Sequence, residues 1–217
     1  MAEPDHLRDT IAAYDATADL YAEFIGTEIT AAIEGPVDRA LLDAFVELVA
    51  PSGRLIADVG CGTGRVTAFL AARGLAVVGV EPSPGMLSIA ATAHPGLRFE
   101  PGAIGDIPVA DESLAGAVCW YSIIHTPPGH LPTAFDELAR VIELGGQLLI
   151  AFQAGGGESV HRESLQGRSV SLTNYRHDPV AVSEQLTAAG FHVHSTTVRD
   201  ADAAHESTPQ AFLMARR

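Results

Sequence analysis

The chain contains no lysine: all thirteen of its basic residues are arginine. That absence excludes a phosphate-binding P-loop, which needs a lysine after its last glycine. It also excludes the Tyr-x-x-x-Lys pair of the common short-chain oxidoreductases. Positive charge is scarce altogether, with 27 acids giving a formal net charge of −14. The arginines are scattered apart from Arg216 and Arg217, so no basic groove for a phosphate backbone is expected, and nucleic acid is not an expected partner. Two cysteines, Cys61 and Cys119, make no disulfide framework. Cys61 sits in a glycine turn and Cys119 in an apolar run, so both read as small packed residues. No metal-ligand spacing is present, and no metal is expected. No run approaches the ~18 apolar residues of a membrane span, and residues 1–6 lack a basic, apolar export signal. A cytoplasmic protein without a membrane partner is the expectation, as a monomer or a homodimer.

What is there begins at residues 55–65, Leu-Ile-Ala-Asp-Val-Gly-Cys-Gly-Thr-Gly-Arg. An apolar run ends in an acid, and glycines follow at positions 60, 62 and 64. Residues 66–74 then show a helical pattern closed by Gly74. The order is strand, glycine turn, helix. The glycines allow a tight turn and close approach of a ligand. The start of the helix offers free N–H groups to a polar ligand group. A nicotinamide dinucleotide fingerprint, G-x-G-x-x-G, would need glycine at position 65, where Arg65 stands. Asp58 disfavours a nearby pyrophosphate and suits a ligand that carries an amino group.

Residues 76–81, Ala-Val-Val-Gly-Val-Glu, form a second strand ending in an acid, Glu81, followed by Pro82-Ser83-Pro84-Gly85-Met86 and a helix. Gly105-Asp106-Ile107-Pro108 follows the third strand, and residues 138–150 run from a helix through Gly145-Gly146 into a fifth strand. Together with the first turn, these segments resemble the class I S-adenosylmethionine-dependent methyltransferases over most of the chain. Two positions depart from the family pattern: Leu144 replaces a usual proline, and Ala115-Gly116 stands where many relatives carry an aspartate. The resemblance implies a cofactor site for S-adenosylmethionine, with S-adenosylhomocysteine as product. It places Asp58, Gly60, Gly62 and Gly64 at the turn and Glu81 on the ribose hydroxyls. Asp106 would take the adenine amino group, with the Ile107 N–H and side chain on the ring. Pro82, Met86 and Tyr121 complete the expected contacts.

Strands alternate with helices along residues 51–153, and two further strands near 190–199 and 211–215 close the chain. This predicts an α/β fold, a single doubly wound Rossmann-like domain. The resemblance implies a seven-stranded, mostly parallel sheet with an antiparallel last strand. Residues 1–50 read as a helical N-terminal cap and 51–217 as the core. Residues 154–177 break the rhythm and read as an insertion on the substrate side, extended near 169–175.

Tyr14 and Tyr21 lie seven residues apart and share a helical face. They cover the methionine end of the cofactor, as the resemblance implies, or they pack an amphipathic helix. Phe24 falls in the same cap and is a candidate for substrate contact. His125 follows the fourth strand at the edge where ligands bind in open α/β sheets, which makes it the candidate general base. Its other reading is a residue that orders the loop. His161 and Tyr175, in the insertion, are candidates for substrate contact, against loop-packing roles. His192, His194 and His205 read as surface residues. Methyl transfer leaves a good neutral leaving group, so alignment and exclusion of water are the main demands on the protein. The expected function is methylation of a small-molecule acceptor at oxygen or nitrogen. The alternatives are a cofactor-binding protein of the same fold with non-methylating chemistry, or an NAD-dependent oxidoreductase.

Overall fold

The computed structural model describes residues 5–165, 167–202 and 206–217, so His205 lies outside the described residues. The chain opens with α1 (Asp5–Ile25) and α2 (Pro36–Val49). Pro36 stands in the first turn of α2, and the Asp38 carboxylate accepts from the Gly35 N–H at 3.1 Å, a cap that starts the helix. The alternating part follows as β1 (Ile56–Val59), α3 (Arg65–Ala72), β2 (Val77–Glu81), α4 (Pro84–Ala93), β3 (Arg98–Pro101) and β4 (Leu114–Trp120). Next come α5 (Leu131–Val141), β5 (Ile142–Gln153), β6 (Ser159–Leu165), β7 (Arg168–Tyr175), α6 (Pro179–Ala188), β8 (His192–Arg199) and β9 (Gln210–Arg216).

Seven strands form one sheet in the order β3-β2-β1-β4-β5-β9-β8. β1 pairs in parallel with both β2 and β4, and β9 runs antiparallel between β5 and β8. The expected doubly wound α/β sheet with its antiparallel last strand is therefore present. Strand residues alternate between its two faces. In β9, Ala211, Leu213 and Ala215 join a cluster with Phe135 and Leu138 of α5 and Leu186 of α6. Phe212 and Met214 point the other way, to Phe45 of α2 and Leu70 of α3. Both faces are covered, which is why the central strands read as continuous apolar runs.

The sheet order reverses at β1, with β2 on one side and β4 on the other. Crevices at such a switch point open at the C-terminal strand ends, where Gly60, Glu81 and Tyr121 lie. The 154–177 segment is a two-stranded antiparallel sheet, β6 with β7. The extended stretch near 169–175 was expected, and its partner β6 was not. β7 packs against α1, and α1 also packs on α4. Arg168 joins the hairpin to α1 through a bidentate pair with Asp19 at 2.6 and 2.8 Å and a bond to the Ala16 carbonyl. Asp15 of α1 accepts from Ser83 Oγ at 2.5 Å and the Gly85 N–H at 2.9 Å, which seats the cap on the start of α4.

Candidate active site

The glycine turn is built for close approach. Gly60, Gly62 and Gly64 all take positive φ, at 76°, 54° and 81°. A Cβ on Gly60 would stand 2.3 Å from Ser122 Cβ, so only glycine lets the turn lie against the end of β4. Gly64 differs from the other two. Its absent Cβ faces the Phe99 ring at 2.9 Å, so this glycine serves packing and does not line the ligand cavity as expected. Arg65, the residue that breaks the dinucleotide spacing, is buried in an ion pair with Glu34. Thr63 donates to the Gly26 carbonyl at 2.8 Å, so the segment after α1 is also tied to the turn.

Glu81 ends β2 with its carboxylate held by two backbone donors, Gly62 N at 3.1 Å and Ser83 N at 2.9 Å. Burial pushes its pKa up to about 7. Asp58 is fully buried and accepts from Thr67 Oγ1 at 2.6 Å through one oxygen. Burial raises this carboxyl to about 7 as well, and its Oδ1 has no hydrogen-bond partner. Trp120 Nε1 and Ser122 Oγ are likewise buried without partners. Asp58 and Trp120 share the wall of a small chamber of about 30 Å³ with Tyr21 and the turn. An unpaired acceptor and an unpaired donor at one chamber match an α-amino acid, and their burial without a ligand is costly.

A second cavity of about 1040 Å³ runs from Gly60, Gly62 and Glu81 to α1. Sites for one drug-sized ligand span roughly 300–1000 Å³, so this one lies at the top of that range. Its cofactor end holds Glu81, Pro82, Met86, Ala103, Ile104 and Asp106. Its far end holds Leu7, Thr10, Ile11, Tyr14, Ile124 and His125. Tyr121 lies between the two ends with φ 61°, a left-handed conformation rare for a non-glycine residue at a strand end.

The expected residues divide into two groups. Tyr14, Tyr21, Gly60, Gly62, Glu81, Pro82, Met86, Asp106, Tyr121 and His125 all border the large cavity, and Asp58 borders the small one. Ile107 does not. Its side chain is buried in the core, and its N–H donates to Glu137 Oε1 at 2.7 Å, so neither reaches a ligand. Phe24 is 56% exposed and absent from the cavity wall. On the helix it is rotated by about 80° from the face of Tyr14 and Tyr21. His161 is exposed on the hairpin, where its Nδ1 meets Thr173 Oγ1 at 3.0 Å. Tyr175 stacks on His177 with ring centroids 6.3 Å apart, and His177 Nε2 donates to the Ile123 carbonyl at 3.0 Å. His161 and Tyr175 thus shape the hairpin and do not line the cavity.

His125 is not free to act as a base in the way its position suggested. Nδ1 lies 2.9 Å from the Thr173 carbonyl and Nε2 lies 2.8 Å from Tyr14 Oη. Burial lowers its pKa to about 4, so the ring is neutral with both nitrogens engaged. Sequence reasoning missed several residues of the site: Trp120, Ser122, Leu7, Thr10 and Ile11. A period of three to four residues in Leu7, Ile11 and Tyr14 was the one available sign. Cys61 and Cys119 are buried, which pushes both thiols up, to about 12 for Cys119, so neither is a thiolate nucleophile.

Residues 56–146 match the family described as methyltransferase domain. Over that segment the chain is similar to the methyltransferase family. A malonyl-[acyl-carrier protein] O-methyltransferase of Erwinia pyrifoliae is 32% identical over 162 residues, 71% of this chain and 61% of that protein. The chain spans about half the length of the curated relatives it matches. Magnesium protoporphyrin IX methyltransferase from Synechocystis, solved with S-adenosylmethionine bound, shares the fold at a TM-score of 0.71. It is 18% identical, and the match covers 100% of this chain and 99% of that one. The [4+2]-cyclase SpnF shares it at 0.70 and 20% identity, over 100% of this chain and 97% of that one. Proteins named for different chemistries thus share this fold. Among the described residues, no helix is long and apolar enough to cross a membrane.

Proposed function

We propose that the chain is an S-adenosylmethionine-dependent methyltransferase acting on a small molecule. One observation carries the reading. Glu81, oriented by two backbone N–H groups, opens onto one large cavity whose wall also includes Leu7, Thr10, Ile11 and Tyr14 of α1 and Ile124 and His125. The residues present fit the cofactor. Glu81 would accept both ribose hydroxyls, since its bonds to Gly62 and Ser83 leave lone pairs on each oxygen. Asp58 Oδ1 would take the amino group and the Trp120 N–H the carboxylate, which would satisfy two buried orphans. Ala103, Ile104 and Asp106 would border the adenine.

When bound, S-adenosylmethionine supplies a methyl group on a positively charged sulfur. The chain's own contribution is alignment and dryness. α1, held by Asp15 on α4 and by Arg168 of the hairpin, covers the chamber where the acceptor would lie. Tyr14 stands at that chamber with its hydroxyl directed at His125. The acidic balance of the chain supports a small molecule over nucleic acid.

Calorimetry with S-adenosylhomocysteine and NAD, followed by transfer from methyl-labelled S-adenosylmethionine to a small-molecule extract, tests the reading. Tight S-adenosylhomocysteine binding and label in the extract are expected. NAD binding without S-adenosylhomocysteine binding would sink the reading. Bound cofactor with no label transferred to any fraction would favour the non-methylating chemistry that the shared fold permits.

A further inference from the structure

The hydrogen bond between Tyr14 and His125 has a direction, and that direction is set from outside the pair. The Thr173 carbonyl, in β7, sits 2.9 Å from His125 Nδ1. A carbonyl oxygen only accepts, which assigns the ring proton to Nδ1. Nε2 therefore carries the lone pair, and Tyr14 Oη, 2.8 Å away, donates to it. The Tyr14 hydroxyl has one proton, and that proton is committed. Tyr14 borders the cavity, and its hydroxyl oxygen has only lone pairs left to offer a ligand there. The ring is fixed as well, edge-on to Tyr21 at 5.6 Å and to His125 at 5.3 Å.

Charge gives a second, independent observation. Among the described residues, the carboxylates bordering the cavity are Glu81 and Asp106, both at the cofactor end. Among the described residues no arginine borders it, and the chain has no lysine. Among those same residues, a carboxylate or phosphate beside Tyr14 would meet no permanent positive charge, and an ammonium would meet no acid. His6 and His130 lie there too, with ring centroids 4.8 Å apart. Leu7, Ile11, Ile124 and Ala134 make much of the remaining wall apolar.

We infer that Tyr14 Oη is a dedicated hydrogen-bond acceptor, and that the methyl acceptor is a neutral, mainly apolar molecule that binds by donating an O–H or N–H to it. His125 is then a positioning residue: it removes the Tyr14 proton from the chamber and so makes the site selective for donors. The inference rests on the methyltransferase reading for which ligand lies beside Tyr14. An ether or a carboxylate would set lone pair against lone pair, whereas a phenol or neutral alcohol completes the chain from ligand to Tyr14 to His125 to Thr173.

The test uses three probes of one shape: 2-naphthol, 2-methoxynaphthalene and 2-naphthoate. Each is titrated calorimetrically into the full chain saturated with S-adenosylhomocysteine, and binding of S-adenosylhomocysteine is measured first. 2-Naphthol is expected to bind about ten-fold or more tightly than either other probe, the range for one satisfied against one unsatisfied buried group. Tyr14→Phe should bring 2-naphthol to the level of the ether. His125→Leu should free the Tyr14 proton, narrow the naphthol preference and raise the relative affinity of the ether and the carboxylate. A role in packing alone would not shift the probes' affinities relative to one another. If His125→Leu does not fold, Tyr14→Phe, which keeps the ring, still decides. The inference is overturned if 2-naphthoate equals or exceeds 2-naphthol, or if Tyr14→Phe leaves the naphthol-to-ether ratio unchanged. It is also overturned if none of the three binds. Failure of S-adenosylhomocysteine itself to bind overturns the cofactor reading instead.

Discussion

Replacing Glu81 with glutamine separates what this residue does for the fold from what it does for the ligand. In the folded protein the carboxyl titrates near 7 against an ordinary 4.5. At about pH 8 its ionisation therefore costs the fold about 3 kcal/mol, at 1.36 kcal/mol for each pH unit of difference. The glutamine amide has no such cost. It does lose one acceptor: its oxygen can serve the N–H of Gly62 or of Ser83, and its NH2 then faces the other donor. One unsatisfied buried N–H costs about 1–3 kcal/mol. The two effects offset, so the ligand-free variant should lie within about 2 kcal/mol of the parent. Binding has no such offset. Two ribose hydroxyls lose a charged acceptor, each bond worth about 1.5–3 kcal/mol, and the amide oxygen recovers part of one. A loss of about 2–4 kcal/mol is expected, about 30- to 1000-fold in Kd for S-adenosylhomocysteine. Denaturant unfolding and calorimetry at pH 8 measure the two quantities. A folded Glu81→Gln chain that binds within three-fold of the parent would refute the ribose assignment.

The same two acids predict opposite pH trends. Asp58 and Glu81 have folded-state pKa values near 7, raised by burial from 3.8 and 4.5. Raised carboxyls favour the fold while protonated, so ligand-free stability should fall as pH climbs from about 5 to 8, in urea melts. Ligand affinity needs the ionised forms and should weaken below about pH 7, by up to roughly ten-fold per pH unit for each of the two acids; a flat Kd between pH 6 and 8 would contradict it. Gly60→Ala forces a β-carbon into Ser122 at positive φ and should cost about 2–6 kcal/mol by denaturant unfolding, with Ser122→Gly recovering part of the loss. Arg168→Ala removes an exposed clasp between the hairpin and α1, so unfolding should barely move. Limited proteolysis within α1 should quicken, and the KM for the acceptor should rise several-fold while that for S-adenosylmethionine changes less.

The legible parts of this molecule are those whose physics is local. The glycine turn, the acid at the end of β2 and the alternation of strand and helix are written in periodicity and in backbone conformations that only glycine adopts readily. β6 was missed because its residues are mostly exposed on both faces, which leaves no alternation to read, and it exists only through its pairing with β7. Ile107 was misplaced because an apolar residue after an acid fits a ligand wall or a core equally well. A carboxylate from α5, thirty residues on, decides the matter. His125 was found by position, but its protonation is set by a carbonyl 48 residues away, which no spacing reports.

The pocket has two halves with different ancestries of contact. Residues that would hold the cofactor come from one continuous stretch, from β1 to the end of β4. Those that would choose the acceptor come from α1 and from the segment around His125, braced by the hairpin. These pieces touch through Arg168 on Asp19, Ser171 on Asp9 and Thr173 on His125. A graft of α1 alone from a homologue would arrive without its brace, and a graft of the hairpin alone would leave the Tyr14 proton pointing at an imidazole no longer held in register. New acceptor selectivity can therefore be inherited or engineered only as a matched set, while the cofactor half stays as it is.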